Sequence, residues 1–256
     1  LSYAVKHCVC PHEFALDISN WADLVIGDYN HVFDPRACLK RFFQEPAGED
    51  YVFLIDEAHN LLDRVRDSIA GGATLIQYRD KVHGDREFLD TGRRVRDIAR
   101  AASIPFIVND RVDLALALDA DGVHLGQEDI EAGRARALIG PDRILGISTS
   151  SVDEARRAIA AGANYLGVGD VFGTATKNKE EGPIGVEGLR EIARAVAIPI
   201  VAIGGVTLEN APLAIRAGAS GVSVISAILF APDSRTATEG LARAVRTAFA
   251  ERACRQ

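Results

Sequence analysis

The stretch Ile107–Asp129, IVNDRVDLALALDADGVHLGQED, decides the fold. Ile107 and Val108 open a short apolar run that stops at Asn109-Asp110. Val112, Leu114, Ala115 and Leu118 follow in a helical pattern, and Asp119-Ala120-Asp121-Gly122 turns the chain. Val123-His124-Leu125-Gly126 is a second short strand, closed by Gln127-Glu128-Asp129. Strand, helix, strand is the repeating unit of a parallel α/β sheet, and here acidic groups follow the end of both strands. Ligands bind at the C-terminal ends of such strands. Asp110 and Asp129 would come from neighbouring strands and could share one hard cation. Two carboxylates with open positions suit Mg²⁺ held jointly with a substrate phosphate. The plainer reading makes Asp129 a helix N-cap and Asp110 a loop acid.

Working outward, the same pattern repeats from residue 51 onward. Apolar runs stand at 51–55, 73–81, 104–110, 123–126, 143–149, 164–172, 198–205 and 221–228. Helical stretches follow at 61–70, 86–102, 112–118, 127–139, 152–161, 186–196, 208–217 and 235–252. The strands are continuous apolar runs, as expected when both faces are buried. Ala70-Gly71-Gly72, Ala161-Gly162-Ala163 and Ala217-Gly218-Ala219 each end a helix just before a strand. Eight strand–helix units predict a (β/α)₈ TIM barrel over residues 51–256, preceded by an N-terminal extension of residues 1–50. A doubly wound sheet is disfavoured, because no GxGxxG follows the first strand.

Composition narrows the function classes. The chain has 256 residues, 48% of them hydrophobic, and a net charge of −7. That acidity argues against broad nucleic-acid binding. Cys8, Cys10, Cys38 and Cys254 show no disulfide-framework spacing, which fits a reducing cytoplasm. No apolar run reaches the length of a membrane span and no signal peptide is expected. The absence of Met, with Leu1 first, fits a piece of a longer reading frame or a non-standard start codon.

Four more strand ends carry chemistry. Gln77, Arg79 and Lys81 alternate, so their side chains share one face. An amide, a guanidinium and an ammonium together suit an aromatic ring bearing a diphosphate; otherwise they form a solvated strand end. Thr174-Ala175-Thr176-Lys177 offers hydroxyls and an ammonium for a phosphate or carboxylate. Gly205 after the seventh strand, with Ile225 and Ser226 after the eighth, stands where barrels commonly build a phosphate site from backbone N–H groups. His124 sits inside a strand and reads as packed rather than reactive.

Two resemblances overlap in this chain. Residues 3–67, with Cys10-Pro11-His12-Glu13, WADLVIGDYNHVFDP and FLIDEAH, resemble a fragment of the iron–sulfur DEAH-type DNA helicases. No GxxxxGK[ST] phosphate loop accompanies them, and Cys8 and Cys10 lack partners for a four-thiolate cluster. The segment therefore reads as a remnant, although His7, His12 and Cys38 could form a makeshift metal site.

Residues 68–230 closely resemble the thiamine-phosphate synthases, through GGATLIQYRDK, PFIVNDRVDLALALDADGVHLGQED, ILGISTSS, YLGVGDVFGTATK and IPIVAIGGVTLENAPLAIRAGASGVSVISAI. The resemblance implies that Gln77, Arg79, Lys81 and Asn109 hold hydroxymethylpyrimidine diphosphate, that Ser148 also meets it, and that Asp110 and Asp129 ligate Mg²⁺. Thr174, Thr176, Lys177, Gly205, Ile225 and Ser226 correspond to residues that hold the thiazole phosphate and the diphosphate. The implied reaction condenses the two substrates to thiamine phosphate and pyrophosphate through a dissociative, carbocation-like step, with Arg79, Lys81 and Ser148 carrying the catalysis. Small-molecule substrates, Mg²⁺, a cytoplasmic setting and no membrane or nucleic-acid partner are expected; a homo-oligomer is left open. Alternatives are a thiazole tautomerase-like barrel and a non-catalytic helicase-fragment interaction module. Gly169-Asp170-Val171-Phe172 departs from the family's GPVF, and YVFLIDEAH stands where its first strand reads YLITD. Asp170 would repel substrate phosphate unless it points away.

Overall fold

The computed structural model of the chain describes residues 24–28, 52–56, 58–173 and 182–254. It divides into two compact units, Leu1–Leu61 and Leu62–Gln256.

In the first unit, β1 (Leu24–Asp28) pairs in parallel with β2 (Val52–Asp56), in register from Leu24 against Val52 to Asp28 against Asp56. The strand predicted at 51–56 therefore exists, but its partner is β1, a strand that the repeat pattern did not reveal. A short apolar run specifies a strand; it does not specify the neighbour.

The second unit is a β/α alternation that begins with most of α1 (Ala58–Ala70). It continues β3 (Ile76–Tyr78), α2 (Asp85–Ala101), β4 (Phe106–Asn109), α3 (Val112–Ala117) and β5 (Gly122–Leu125). Then come α4 (Ala132–Ile139), β6 (Ile144–Thr149), α5 (Val152–Ala160), β7 (Tyr165–Val168) and α6 (Gly185–Ala195). β8 (Ile200–Ala202), α7 (Ala211–Ala217), β9 (Gly221–Val222), α8 (Ser226–Leu229) and α9 (Ser234–Ala253) complete it. Strands β3 to β9 form one seven-stranded parallel sheet in sequence order. The expectation of eight strands in this sheet is thus corrected to seven among the described residues.

Local chemistry explains the elements and their limits. Phe106, Ile107, Val108, Val123 and Leu125 are at most 1% exposed, as the central strands of a sheet covered on both faces require. Phe88, Gly92, Val95 and Ala99 form the buried stripe of α2. Gly92 is needed there because a Cβ would lie 2.7 Å from Leu118 Cδ1. Helix α5 starts where the Ser151 side chain accepts the Glu154 N–H, and α9 where Asp233 accepts the Thr236 N–H. Helix α4 starts at Ala132, later than the predicted 127, because Asp129 turns back to accept the Gly126 N–H instead. Helix α7 starts at Ala211 rather than 208, after a turn in which Asn210 Oδ1 accepts the Thr207 N–H. The apolar run 221–228 holds a two-residue strand and then enters α8.

Helix α1 precedes β3, at one end of the sheet, and α9 follows β9, at the other. The two helices meet. Arg64 Nη1 donates to Ala231 O at 2.8 Å and to Ser234 Oγ at 3.0 Å, just ahead of α9 and at its first residue. The last turn of α1 runs into Gly71, where a Cβ would lie 2.6 Å from Arg235 O and 2.7 Å from Thr238 Cβ. The layer of helices outside the sheet is therefore brought round from its last member to its first.

This close approach generates a stability prediction. Gly71→Ala should destabilise the protein by about 1–3 kcal/mol, because the surrounding atoms are backbone and a β-branched side chain that cannot swing aside. Urea unfolding would measure it; unchanged stability would show that α1 and α9 do not pack this tightly.

Candidate active site

A parallel sheet in sequence order brings every strand's C-terminal end to one edge, and the chemistry-bearing residues collect there. Strand β3 turns Tyr78 toward the helices, where its ring centroid lies 4.6 Å from that of Phe88 and 6.4 Å from that of Phe106. By alternation, Gln77 and Arg79 face the other way. Arg79 Nε lies 3.9 Å and Lys81 Nζ 3.3 Å from Asp110 Oδ2.

Asp110 is set by its backbone. Its φ is 64°, the left-handed region that aspartate tolerates better than most residues. Its N–H donates to His124 O at 2.9 Å, extending the β4–β5 ladder by one bond. Asp129 returns toward the same place from the β5 side, held by the Gly126 N–H at 2.7 Å from Oδ2. The two carboxyls stand close enough to act on one another. Burial pushes the Asp129 carboxyl up, the Gly126 N–H pulls it back, and the bond to Asp110 and its charge push it up again. Lys81 offsets part of this, and the net result lies above the ordinary carboxylate value. A like-charged pair beside two cations has the chemistry of a divalent-cation site shared with a polyanion. Among the described residues no group of three or more His, Cys, Asp or Glu forms a metal cluster, so a cation here would draw further ligands from substrate and water.

Next to the acids lies a polar layer on the inner side of the sheet. His124 Nδ1 is 2.8 Å from the Tyr165 hydroxyl, and His124 Nε2 is 2.9 Å from Ser148 Oγ. Burial pushes the pKa of the Tyr165 hydroxyl up, and nearby Gln77 pulls it back in part; the net shift is upward. Two glycines make room for the rings. A Cβ at Gly146 would fall 2.2 Å from Tyr165 Cζ, and one at Gly167 would fall 2.7 Å from His124 Cε1. Gln127 Nε2 donates to Ser148 O at 2.5 Å, tying the loop after β5 to β6. Asn109 is 9% exposed on the neighbouring strand.

Farther along the edge, Gly204 (φ 95°) and Gly205 (φ 62°) follow β8 in conformations that favour glycine. Asn210 Nδ2 donates to Gly205 O at 2.8 Å. Asp170 Oδ1 accepts the Gly173 N–H at 3.1 Å and lies against Gly204, where a Cβ would be 1.9 Å from it. The extra carboxylate is thus engaged in its own turn. Ile225, 52% exposed, precedes α8, and Ser226 is its first residue.

Gln77, Arg79, Lys81, Asp110 and Asp129 are therefore brought to the ends of β3, β4 and β5, with Asn109 and Ser148 on the strands beside them. Gly205, Ile225 and Ser226 lie at the ends of β8 and β9. Thr174, Thr176 and Lys177 lie outside the described residues, as do Cys8, Cys10, Cys38, His7 and His12. Asp129 does not N-cap α4, whose N-cap is Glu131. The sequence reading passed over Tyr165 and Gln127. The available signal for Tyr165 was Gly146 and Gly167, since glycine inside a strand marks a close approach.

The chain is similar to proteins of one known family. The thiamine monophosphate synthase family model matches residues 51–228. A second family model, described as DEAD_2, matches residues 1–72, so the two overlap over α1 and the strand before it. The thiamine-phosphate synthase of Roseiflexus sp. (strain RS-1) is 49% identical over 213 residues, covering 81% of this chain and 90% of the relative. That of Moorella thermoacetica is 53% identical over 184 residues, covering 72% and 88%. Among solved structures, thiamine phosphate pyrophosphorylase from Pyrococcus furiosus superposes with a TM-score of 0.68 at 44% identity, covering 73% of this chain and 90% of that one.

The like-charge pair predicts a pH-dependent trade of stability. Asp129 has a raised value in the folded protein, so its contribution to stability is present on the acid side and is lost as pH rises through that value. Asp129→Asn removes the loss. In chelator near neutral pH the variant should melt above the parent, and the gap should close as pH falls below the ordinary carboxylate range of about 4. Equal melting temperatures at every pH would show that the two acids do not oppose each other.

Proposed function

The chain belongs to the thiamine monophosphate synthase family, and from that premise we propose how its site joins hydroxymethylpyrimidine diphosphate to thiazole phosphate. The observation that carries the reading is the convergence of Arg79 and Lys81 on Asp110 beside Asp129. Asp110 and Asp129 would hold Mg²⁺, which when bound neutralises diphosphate and makes it a better leaving group.

The chain's own groups supply the rest. Arg79 and Lys81 contact the diphosphate oxygens and stabilise the charge that grows on them as the C–O bond breaks. That bond's electron pair leaves with pyrophosphate. The pyrimidine amino group donates electrons toward the methylene, giving a carbocation-like species that the thiazole nitrogen lone pair captures to form the new C–N bond. The nitrogen already carries its lone pair, so the step needs no general base, and the site acts by positioning and electrostatics. Gln77 and Asn109 hold the pyrimidine, with Ser148 oriented toward it by His124. Thr174, Thr176, Lys177, Gly205, Ile225 and Ser226 hold the thiazole phosphate and the leaving diphosphate. Both substrates are small soluble anions, which fits a cytoplasmic enzyme, and among the described residues no helix is long and apolar enough to cross a membrane.

We also propose that the catalytic unit begins near residue 51, where the family match starts. A seven-stranded parallel sheet leaves two open edges. Val52–Asp56 is the nearest strand that could become the first of a closed (β/α)₈ barrel, in exchange for its pairing with β1.

Two experiments test these readings. With both substrates present, pyrophosphate release should require Mg²⁺, and Asp110→Ala and Asp129→Ala should each lower kcat/KM by roughly 10²-fold or more. Full activity in excess chelator overturns the metal role. A chain shortened to begin at Glu49 should fold and keep activity. One beginning at Gly71 loses α1, bares the α9 surface beneath it, and should aggregate. If the Gly71 chain is soluble and active, or the Glu49 chain is dead while the full chain works, the proposed boundary is wrong.

A further inference from the structure

Between Arg79 and Lys81 lies a carboxylate that the proposed reaction does not use. The Asp80 side chain is 13% exposed, whereas that of Lys81 beside it is 62% exposed. Asp80 Oδ1 accepts the Val82 N–H at 2.9 Å and the His83 N–H at 3.1 Å. Asp80 Oδ2 lies 2.7 Å from His83 Nδ1, with the Tyr78 hydroxyl at 3.4 Å. His83 Nε2 reaches Glu87 Oε1 at 3.4 Å, on the first turn of α2. One carboxylate therefore folds residues 80–83 into a turn directly after β3 and fastens that turn, through the imidazole, to the next helix.

The consequence falls on the two flanking cations. Side chains alternate along an extended segment, so Asp80 points toward Tyr78 and the helices while Arg79 and Lys81 point toward Asp110. Long, flexible cations lose rotamer and backbone freedom when they grip an anion, and a backbone already fixed reduces that cost. Burial alone would push the Asp80 carboxyl up. The bonds from Val82 N–H, His83 N–H and the His83 ring outweigh burial and leave it below its ordinary value, so the turn is tied by an ionised group.

We propose that Asp80, fastened by His83, is the positioning residue that presents Arg79 and Lys81 to the substrate diphosphate. The proposal rests on the assignment of those two residues to the diphosphate, and it adds a specificity that this assignment lacks. Loosening the turn harms the pyrimidine diphosphate and spares the thiazole phosphate.

The test uses the full chain with Asp80→Ala, Asp80→Asn and His83→Ala. Asparagine keeps an acceptor for Val82 N–H and His83 N–H, so it should restore most of what alanine loses. For Asp80→Ala, the expected result is a KM for pyrimidine diphosphate raised about tenfold and a KM for thiazole phosphate within twofold of the parent. His83→Ala removes only the ring, and should raise the same KM by roughly threefold. It serves as the test if Asp80→Ala does not fold. Calorimetric titration with inorganic pyrophosphate and Mg²⁺ should show the same order of loss without any turnover. Parallel losses for both substrates, no loss in any variant, or a fall in melting temperature with unchanged KM values overturns the proposal. Failure of the parent to turn over, with pyrophosphate binding still weakened by Asp80→Ala, would sink the assigned reaction and leave the positioning role standing.

Discussion

Two carboxylates close enough to act on one another's ionisation set the terms for this site. Asp110 and Asp129 come from different strand ends, and neither could hold the other without backbone restraint on both sides. Asp110 adopts a left-handed conformation and is anchored through its N–H to His124 O; Asp129 is anchored by the Gly126 N–H. A non-glycine residue in that region costs on the order of 1 kcal/mol or more, and such strain gathers at functional sites. Here it places a second acid where the first already stands, with Lys81 and Arg79 as partial compensation.

The sheet makes this pairing repeatable in space. Parallel strands in sequence order deliver each β–α loop to the same edge, so side chains distant along the chain converge without long connections. Beneath the edge, the space inside the sheet is filled by trading glycine for aromatic volume. Gly146 yields to the Tyr165 ring and Gly167 to His124, and the two rings link to each other and to Ser148. His124, the buried member of this layer, has both ring nitrogens partnered, by the Tyr165 hydroxyl and by Ser148 Oγ, so the cost of burying it is offset. The same trade governs the outer layer, where Gly71 and Gly92 admit α9 and Leu118.

The N-terminal segment differs in sequence from the rest of the chain and forms a compact unit of its own. The DEAD_2 match covers residues 1–72 and the synthase match begins at 51, so the strand Val52–Asp56 is claimed by both. In the structure it pairs with β1, within the unit that holds most of the DEAD_2 match. Two alignments of one short apolar run are compatible with its composition, because a run without polar alternation carries no signal from which to read its partner.

Much of the fold was legible from residues alone. Continuous apolar runs such as Phe106–Val108, alternating with helical stripes such as Phe88, Val95 and Ala99, report burial directly, and burial is what side-chain chemistry encodes. The acids and cations at strand ends were legible for the same reason: Asp110, Asp129, Arg79 and Lys81 are costly inside and stand just past apolar runs. What the sequence could not fix was who meets whom. The partner of Val52–Asp56, the approach of Asp129 to Asp110, that of Asp170 to Gly204, and the chain from Tyr165 through His124 to Ser148 all join residues far apart along the chain. Only the packed structure sets them, since each depends on the volume left by glycines on neighbouring strands and on backbone groups that no single-residue preference can locate.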